Sequence, residues 1–525
     1  ALEVGRTTAG RLVALGNHSL AAEVWLLCAR AALLEGDRDL AATFGEHARA
    51  LFAGQGAAAW ERAARLEVVR ASPEPGEPAE LRALAAAQQE AFNARGAVTA
   101  LALAAIADAH RGNLEDAEAA LVTCRRRARR LGTVEMRVLT AHAGASCALA
   151  RHDRSRALRY LRAGLHDLHQ HRSTLAASDA RAAMALHGRQ LAEMGLRLAL
   201  AERSPAGLLS WMERVRAGRG RHLPTRPPED DGAASELEEL RALVAAVRQR
   251  EAVGEEVVEL LRRQAELEGA LRSRLLAVGV SGDGPQPDLP TVGGLRARLG
   301  DRLLVELAEV DGAFVGAAVD RHGARLVELG DAATVVSTVG ALAALLRRRL
   351  LRHGDGDAAR AGGDDAPLGR ALAALDRAMA PAVSGSTGVV LVLPAALHTV
   401  PWSLLPSLRG RPVVVTPSAR WWALAESTPA DGPRGPAVVV AGPRLREADA
   451  EAQSVAAQHP GARLLTGADA TTARVLDAMG TASVLHVASH GRIRHDNPLW
   501  SSLELADGPL YVHDLETMPR TPPTV

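Results

Sequence analysis

The segment LHVASHG, Leu485 to Gly491, places a histidine against a glycine at the end of a short apolar run. Imidazole titrates near neutrality, so His490 is a candidate general base, and a base needs a nucleophile to serve. Gly491 permits a sharp exit and lets a substrate backbone approach the main chain closely. His486 and His490 stand four residues apart, the spacing that lets two histidines on a helix chelate one metal ion. On a strand they are separated by roughly 13 Å at about 3.3 Å per residue, so joint chelation fails. No metal site is expected, and His486 is read as a core or packing residue. Cys28, Cys124 and Cys147 lack metal-ligand spacing and lie in Ala/Leu-rich sequence with helical periodicity. They read as buried small apolar residues in a reducing cytoplasm.

The elements that must position His490 are short β-branched runs with helical sequence between them: GVVLVLP from Gly388, PAVVVAGP from Pro436 and TASVLHVAS from Thr481. That alternation predicts a mostly parallel sheet covered by helices, with ligands gathering beyond the carboxyl ends of its strands. Upstream, Arg302 to Gly330 holds three strand-like runs separated by Asp311-Gly312 and His322-Gly323, both hairpin signals. Helices are expected from Ala333 to Arg352 and from Pro367 to Met379.

The first 220 residues have Ala and Leu at helical spacing, broken at Gly36-Asp37, Pro73 to Pro75, Gly112-Asn113 and His152-Asp153. The period is about 38 to 40 residues, the range of stacked helix pairs. Ala41, Ala117 and Ala157 each come four residues after the Asp or Asn of a break. Ala48, Cys124 and Gly164 come eleven after it. Small residues at those positions let neighbouring helices press together in a solenoid. With Trp25, Ala29, Ala41 and Ala48 at matching positions, the region resembles the tetratricopeptide repeat family. A Pro-rich acidic stretch, 221–235, reads as a linker. Leu237, Leu240, Val244 and Val247, then Val257, Leu260, Gln264, Leu267 and Leu271, keep heptad spacing on either side of Gly254, which predicts a helical hairpin over 236–278.

Composition excludes several classes. Acidic and basic residues number 61 and 62, so no overall field draws the chain to nucleic acid or an anionic membrane. The basic runs Arg125 to Arg130 and Leu346 to His353 lack interleaved aromatics and read as solvated helix faces. No apolar run reaches the roughly 18 residues of a membrane span. The absence of lysine, with abundant Ala, Arg, Gly and Leu, is the bias of a GC-rich bacterial genome.

LHVASHG, then NPLWSSLELADG and LYVHDLETM, preceded by VVLVLPAALHTVPWSLLPS and VVVTPSARWWAL, resemble the CHAT domain over 291–525. That family has a caspase- and separase-related cysteine peptidase fold often joined to tetratricopeptide repeats. The resemblance implies a multidomain chain with an all-α repeat array at 1–220, a hairpin at 236–278 and an α/β caspase-like domain with a mostly parallel sheet. It implies that His490 is the catalytic histidine and that the backbone N–H of Gly491 is an oxyanion donor. His398 would be a structural turn residue, and Asn497 and Asp507 are loop and turn positions without chemistry. The family's nucleophilic cysteine lies on the strand after the LYVHDLETM-like helix, so it is expected beyond Val525. The implied function of the full-length protein is a regulated cysteine endopeptidase, without a cofactor, acting on a protein or peptide substrate, with a regulatory protein partner on the helical repeats. The competing expectation is an inactive interaction scaffold with a peptidase-like domain. A cut before Arg221 is expected to leave a soluble C-terminal domain.

Overall fold

The computed structural model describes residues 2–72, 74, 76–175, 178–216, 231–252, 255–277, 289–354, 366–427, 435–494, 498–516 and 518. It divides into two compact units. One comprises Ala1–His169, Ala185–Gly220 and Pro285–Glu426, and the other Gln170–Met184, Arg221–Gly284 and Ser427–Val525. No helix among the described residues is long and apolar enough to cross a membrane.

The helical region runs α1 (Leu2–Ala14), α2 (His18–Glu35), α3 (Arg38–Gly54), α4 (Ala58–Ala71), α5 (Pro78–Glu90), α6 (Ala94–Arg111), α7 (Leu114–Leu131), α8 (Val134–Ala150), α9 (Arg154–Ser173), α10 (Ser178–Leu186), α11 (Arg189–Ala201) and α12 (Pro205–Arg216). Its junctions reuse one device. Gly16, Gly36, Gly56, Phe92, Gly112 and His152 all have positive φ. In each case the next residue's amide donates to the carbonyl five residues back, as Asp37 does to Ala32 at 3.0 Å and Asp153 to Ala148 at 2.9 Å. This closes one helix while Asn17, Asp37, Asn93 and Asp153 accept from amides of the next, at Leu20, Leu40, Gly96 and Arg156. The small residues of the repeat are buried, and Gly164 shows why they are small. A Cβ there would lie 2.6 Å from Leu191 Cδ1 and 2.7 Å from Ala141 Cβ. Trp25 stacks at a tilt on Phe44, ring centroids 5.1 Å apart.

Between this region and the first sheet come α13 (Asp231–Ala252) and α14 (Val258–Ala277) of the second unit, and α15 (Val292–Leu299) of the first. Residues 231–235, expected in a linker, belong to α13, whereas 221–230 lie outside the described residues.

The first unit's sheet has the order β3-β2-β1-β4-β5. Its strands are β1 (Leu303–Val310), β2 (Ala313–Asp320), β3 (Gly323–Asp331), β4 (Val389–Val392) and β5 (Val413–Thr416). The first three form an antiparallel meander, its first turn made by Asp311 and Gly312 at φ 50° and 76°. β4 and β5 continue it in parallel. The sheet is therefore mixed, with its parallel part beginning at β1. α16 (Ala332–Gly354) and α17 (Ala366–Val383) cover one face, burying Leu303, Val305 and Leu307 with Leu342, Leu375 and Met379.

α12, the last helix of the array, packs on β1, β2 and β3. Its Arg216 pairs with Glu306 in the middle of β1 and donates to the Leu307 carbonyl at 2.5 Å. Glu213, one turn earlier, accepts from the amides of Ala419 at 2.7 Å and Arg420 at 3.0 Å, the start of α18 (Ala419–Ser427). Glu213, Arg216 and Glu306 are at most 6% exposed. Burial pushes the Glu306 carboxyl well above the usual carboxylate range, Arg216 opposes that, and Glu213 beside it reinforces it. A cut before Arg221 would strip α12 from the sheet and leave Glu306 without its arginine. The expectation of a separable C-terminal domain is corrected on that ground.

The second unit holds β6 (Val438–Ala441), β7 (Arg463–Leu465) and β8 (Leu485–Ala488), parallel, in the order β7-β6-β8. Val439 and Ala441 pack towards α19 (Ala448–Gln458), and Val438 and Val440 towards α20 (Thr472–Met479). A second, antiparallel sheet of β9 (Gly491–Arg492), β10 (Ser502–Leu505) and β11 (Gly508–Tyr511) follows, and then α21 (Val512–Glu516). The α13–α14 hairpin sets Leu240, Val244, Leu267 and Leu271 against Trp500 and Tyr511, and Arg241 pairs with Asp514 at 2.7 Å. The expected start of a further strand at 519–525 lies outside the described residues.

The buried charges yield a test by chemical denaturation. Arg216→Met should cost on the order of 3 kcal/mol, since it leaves a buried carboxylate unpaired. Glu306→Gln, which mimics the protonated acid, should cost far less. A raised folded-state pKa means Glu306 contributes stability below its unfolded pKa of about 4.3 and loses that contribution as pH rises through the folded value. The wild type should therefore lose stability relative to Glu306→Gln as pH rises from that point, and a constant difference between them would contradict the assignment.

Candidate active site

β6 and β8 lie side by side, and both chains turn at their carboxyl ends. The ladder runs one residue past the strands, where the Gly442 amide donates to the Ala488 carbonyl at 2.8 Å. Beyond it Pro443 and Arg444 leave β6, and Ser489 and His490 leave β8. A Cβ on Gly442 would lie 2.6 Å from Ser489 Oγ and 2.7 Å from the Glu504 carbonyl oxygen, so the crossing needs glycine.

Two bonds to β10 and one from the neighbouring Ser489 fix the main chain of His490. Glu504 N–H donates to the His490 carbonyl at 2.9 Å, and Ser489 Oγ donates to the Glu504 carbonyl at 2.5 Å and the His490 carbonyl at 3.3 Å. The exposed imidazole points its Nε2 at the carbonyl of Arg444, 3.3 Å away. A carbonyl can only accept, so Nε2 carries the proton and Nδ1 presents the lone pair. Arg444 has φ 60°, unusual for a side-chain-bearing residue, and its guanidinium meets Glu504 Oε1 at 2.5 Å. The carbonyl that orients the imidazole is thus held by a left-handed turn and an ion pair.

Gly491 stands opposite Leu503 in the β9–β10 pairing. The Glu504-to-His490 bond marks this as a pair with its ladder bonds on either side, so the Gly491 amide is directed away from β10, along the outer edge of β9. Its φ is not positive, and a Cβ would meet only Leu503 Cδ2, at 3.7 Å. The expectation that glycine is needed for a sharp exit is corrected; what its lack of a side chain leaves is open space.

The other residues singled out in the sequence go elsewhere. His486 is corrected from a core residue to a third-exposed side chain on β8, its Nε2 2.9 Å from Glu451 Oε1 of α19. His398 Nε2 bonds the Leu393 carbonyl at 3.1 Å, just after β4. Asp507 sits in the β10–β11 turn and accepts from the amide and hydroxyl of Thr472 at 2.8 and 3.1 Å. Asn497 lies outside the described residues. Cys28, Cys124 and Cys147 are buried in helices of the first unit, whereas His490 belongs to the second. Burial pushes the thiols of Cys124 and Cys147 up to about 11 and raises that of Cys28. Sequence reasoning missed Gly442, Arg444, Ser489 and Glu504. Only Gly442-Pro443, directly after a buried strand run, offered a signal.

Residues 367–521 match the family model of the CHAT domain. No curated protein matches the chain. A CHAT domain therefore occupies the region from α17 to the end of α21, and His490 and Gly491 lie within it.

The two glycines of the site should respond differently to one methyl group. Gly442→Ala should destabilise the protein by about 1–3 kcal/mol, because Ser489 or the Glu504 backbone must give way. Gly491→Ala should stay within about 0.5 kcal/mol of wild type. Urea unfolding midpoints for both variants check this, and equal losses would contradict the geometry.

Proposed function

We propose that the full-length protein is a regulated cysteine endopeptidase whose CHAT domain carries the chemistry and whose helical array senses a protein partner. The observation that carries this reading is the His490 imidazole at the carboxyl edge of β8, with Nε2 committed to the Arg444 carbonyl and Nδ1 left to act. In the proposed cycle Nδ1 takes the proton of a cysteine thiol, and the thiolate attacks the scissile carbonyl carbon. The charge that develops on the carbonyl oxygen is met by the outward amide of Gly491. The imidazolium then protonates the leaving amine, and Nδ1 activates the water that hydrolyses the thioester. The substrate is a protein or peptide, and no cofactor takes part.

None of the three cysteines in residues 1–525 suits this role, since each is buried in a helix with its thiol pKa raised. A second reading is an interaction scaffold with an inactive peptidase-like domain.

The readings separate on the full-length protein. A thiol-directed peptide inhibitor should label it in a His490-dependent manner. His490→Ala should lower peptide cleavage by a factor on the order of 10² to 10⁴. His486→Ala, which removes only the contact with Glu451, should leave turnover near wild type. Equal loss from both substitutions in folded protein would mean that the wrong histidine was chosen, and absence of labelling would leave the scaffold reading.

A further inference from the structure

Just after Gly491, Arg492 and Arg494 line one side of a cleft of about 270 Å³. Its other walls come from the α13–α14 hairpin: Val244, Val247, Leu261, Gln264, Ala265 and Glu268. Val244 and Val247 are buried and give the cleft an apolar floor. The charges at its rim are unequal. Glu268 is taken up by Arg494, at 3.0 and 3.4 Å, and by Gln264 Nε2 at 2.8 Å. Arg492 is exposed and has no acidic partner among the described residues. Among the described residues, the rim therefore carries one positive charge without an acidic partner above an apolar floor.

Among the described residues, the backbone beside the cleft is an unpaired edge. β9 is the outer strand of its sheet, and the amide of Gly491 faces outward. A peptide laid along β9 would set its scissile carbonyl at that amide and continue in strand pairing beside Arg492. Side chains of paired strands share faces, so the peptide residue next to Arg492 would point where Arg492 points, into the cleft.

We propose that this cleft is a substrate subsite for an acidic side chain within two residues of the cleaved bond, with Arg492 as its specificity-determining residue and the α13–α14 hairpin as its wall. A glutamate fits the chemistry: its methylenes lie on Val244 and Val247 and its carboxylate reaches the guanidinium of Arg492. The inference rests on the endopeptidase reading and adds to it the substrate class. The hairpin, which lies outside residues 367–521, becomes part of substrate recognition.

The test is a cleavage profile of the full-length protein on a positional-scanning peptide library. Wild type should prefer Glu over Lys at one position flanking the cleaved bond by at least about tenfold, the effect expected of one partly desolvated charge pair. Arg492→Glu should reverse that preference at the same position. Ala265→Glu, on the exposed face of α14, should reduce it without touching β9. A profile unchanged in both variants, with cleavage still dependent on His490, would overturn the subsite and leave the endopeptidase reading standing. Absence of cleavage by wild type, or cleavage indifferent to His490→Ala, would overturn both.

Discussion

Two carboxylates and one arginine, sealed inside the first unit, set the terms for everything built around them. Removing an ionic group from water costs several kcal/mol unless a partner and hydrogen bonds replace the lost solvation. Glu306 in the middle of β1 pairs with Arg216 arriving from α12, and Arg216 also donates to the Leu307 carbonyl. Glu213 uses both of its oxygens on the first amides of α18. The last helix of the array is consequently structural cover for β1 to β3 and an anchor for α18. Gly316 belongs to the same constraint: a Cβ there would lie 1.9 Å from the Glu306 carbonyl oxygen, so only glycine lets β2 lie flush beside the charged strand.

This arrangement constrains how the proposed regulation by the array could work. A module on a loose linker could act by tethering alone. Here α12 packs against β1, β2 and β3, and through Glu213 it sets the start of α18, so a shift of α12 is a shift of buried charge in the α/β core. Low-dielectric surroundings make such a shift costly in small increments. The array itself resists gradual bending for a different reason. Its junctions are closed by left-handed residues with fixed hydrogen bonds, and its contacts at Ala41, Ala48, Ala117 and Gly164 leave no room for side chains to slide.

Much of the fold was legible because each element carried a local signal that tertiary packing reinforced. Asp311-Gly312 marked the first hairpin, and the continuous runs at β4, β6 and β8 marked strands, of which β4 and β6 are buried on both faces. The short strands β7, β9, β10 and β11 carried no such signal. They are two to four residues long, and Gly or Pro stands in β9 and β11. His490 was visible because a histidine at a strand end is unusual. Arg444 was invisible because its contribution is a carbonyl group, which every residue owns, and a positive φ that no arginine announces. The buried Glu306 was equally hidden: LLVELAEV reads as a strand with two glutamates, Glu306 and Glu309, and only the arrival of α12 shows that Glu306 faces protein.

The site depends on backbone more than on side chains, and that explains both its precision and its exposure. Adjacent parallel strands have main chains held at fixed spacing by the ladder, so groups that leave their carboxyl ends inherit that spacing. The Arg444 carbonyl comes from the end of β6 and the imidazole of His490 from the end of β8, one ladder bond beyond the paired residues. The backbone thereby places the imidazole, and the Arg444 carbonyl restrains its ring. Backbone positioning asks for no burial, so the ring can stay open to solvent while its orientation is kept. Gly491 extends the same logic, because an amide on an edge strand is oriented by the pairing behind it and needs nothing in front of it. What such a design leaves unfilled is the space before that edge, which is where a peptide backbone would complete the sheet.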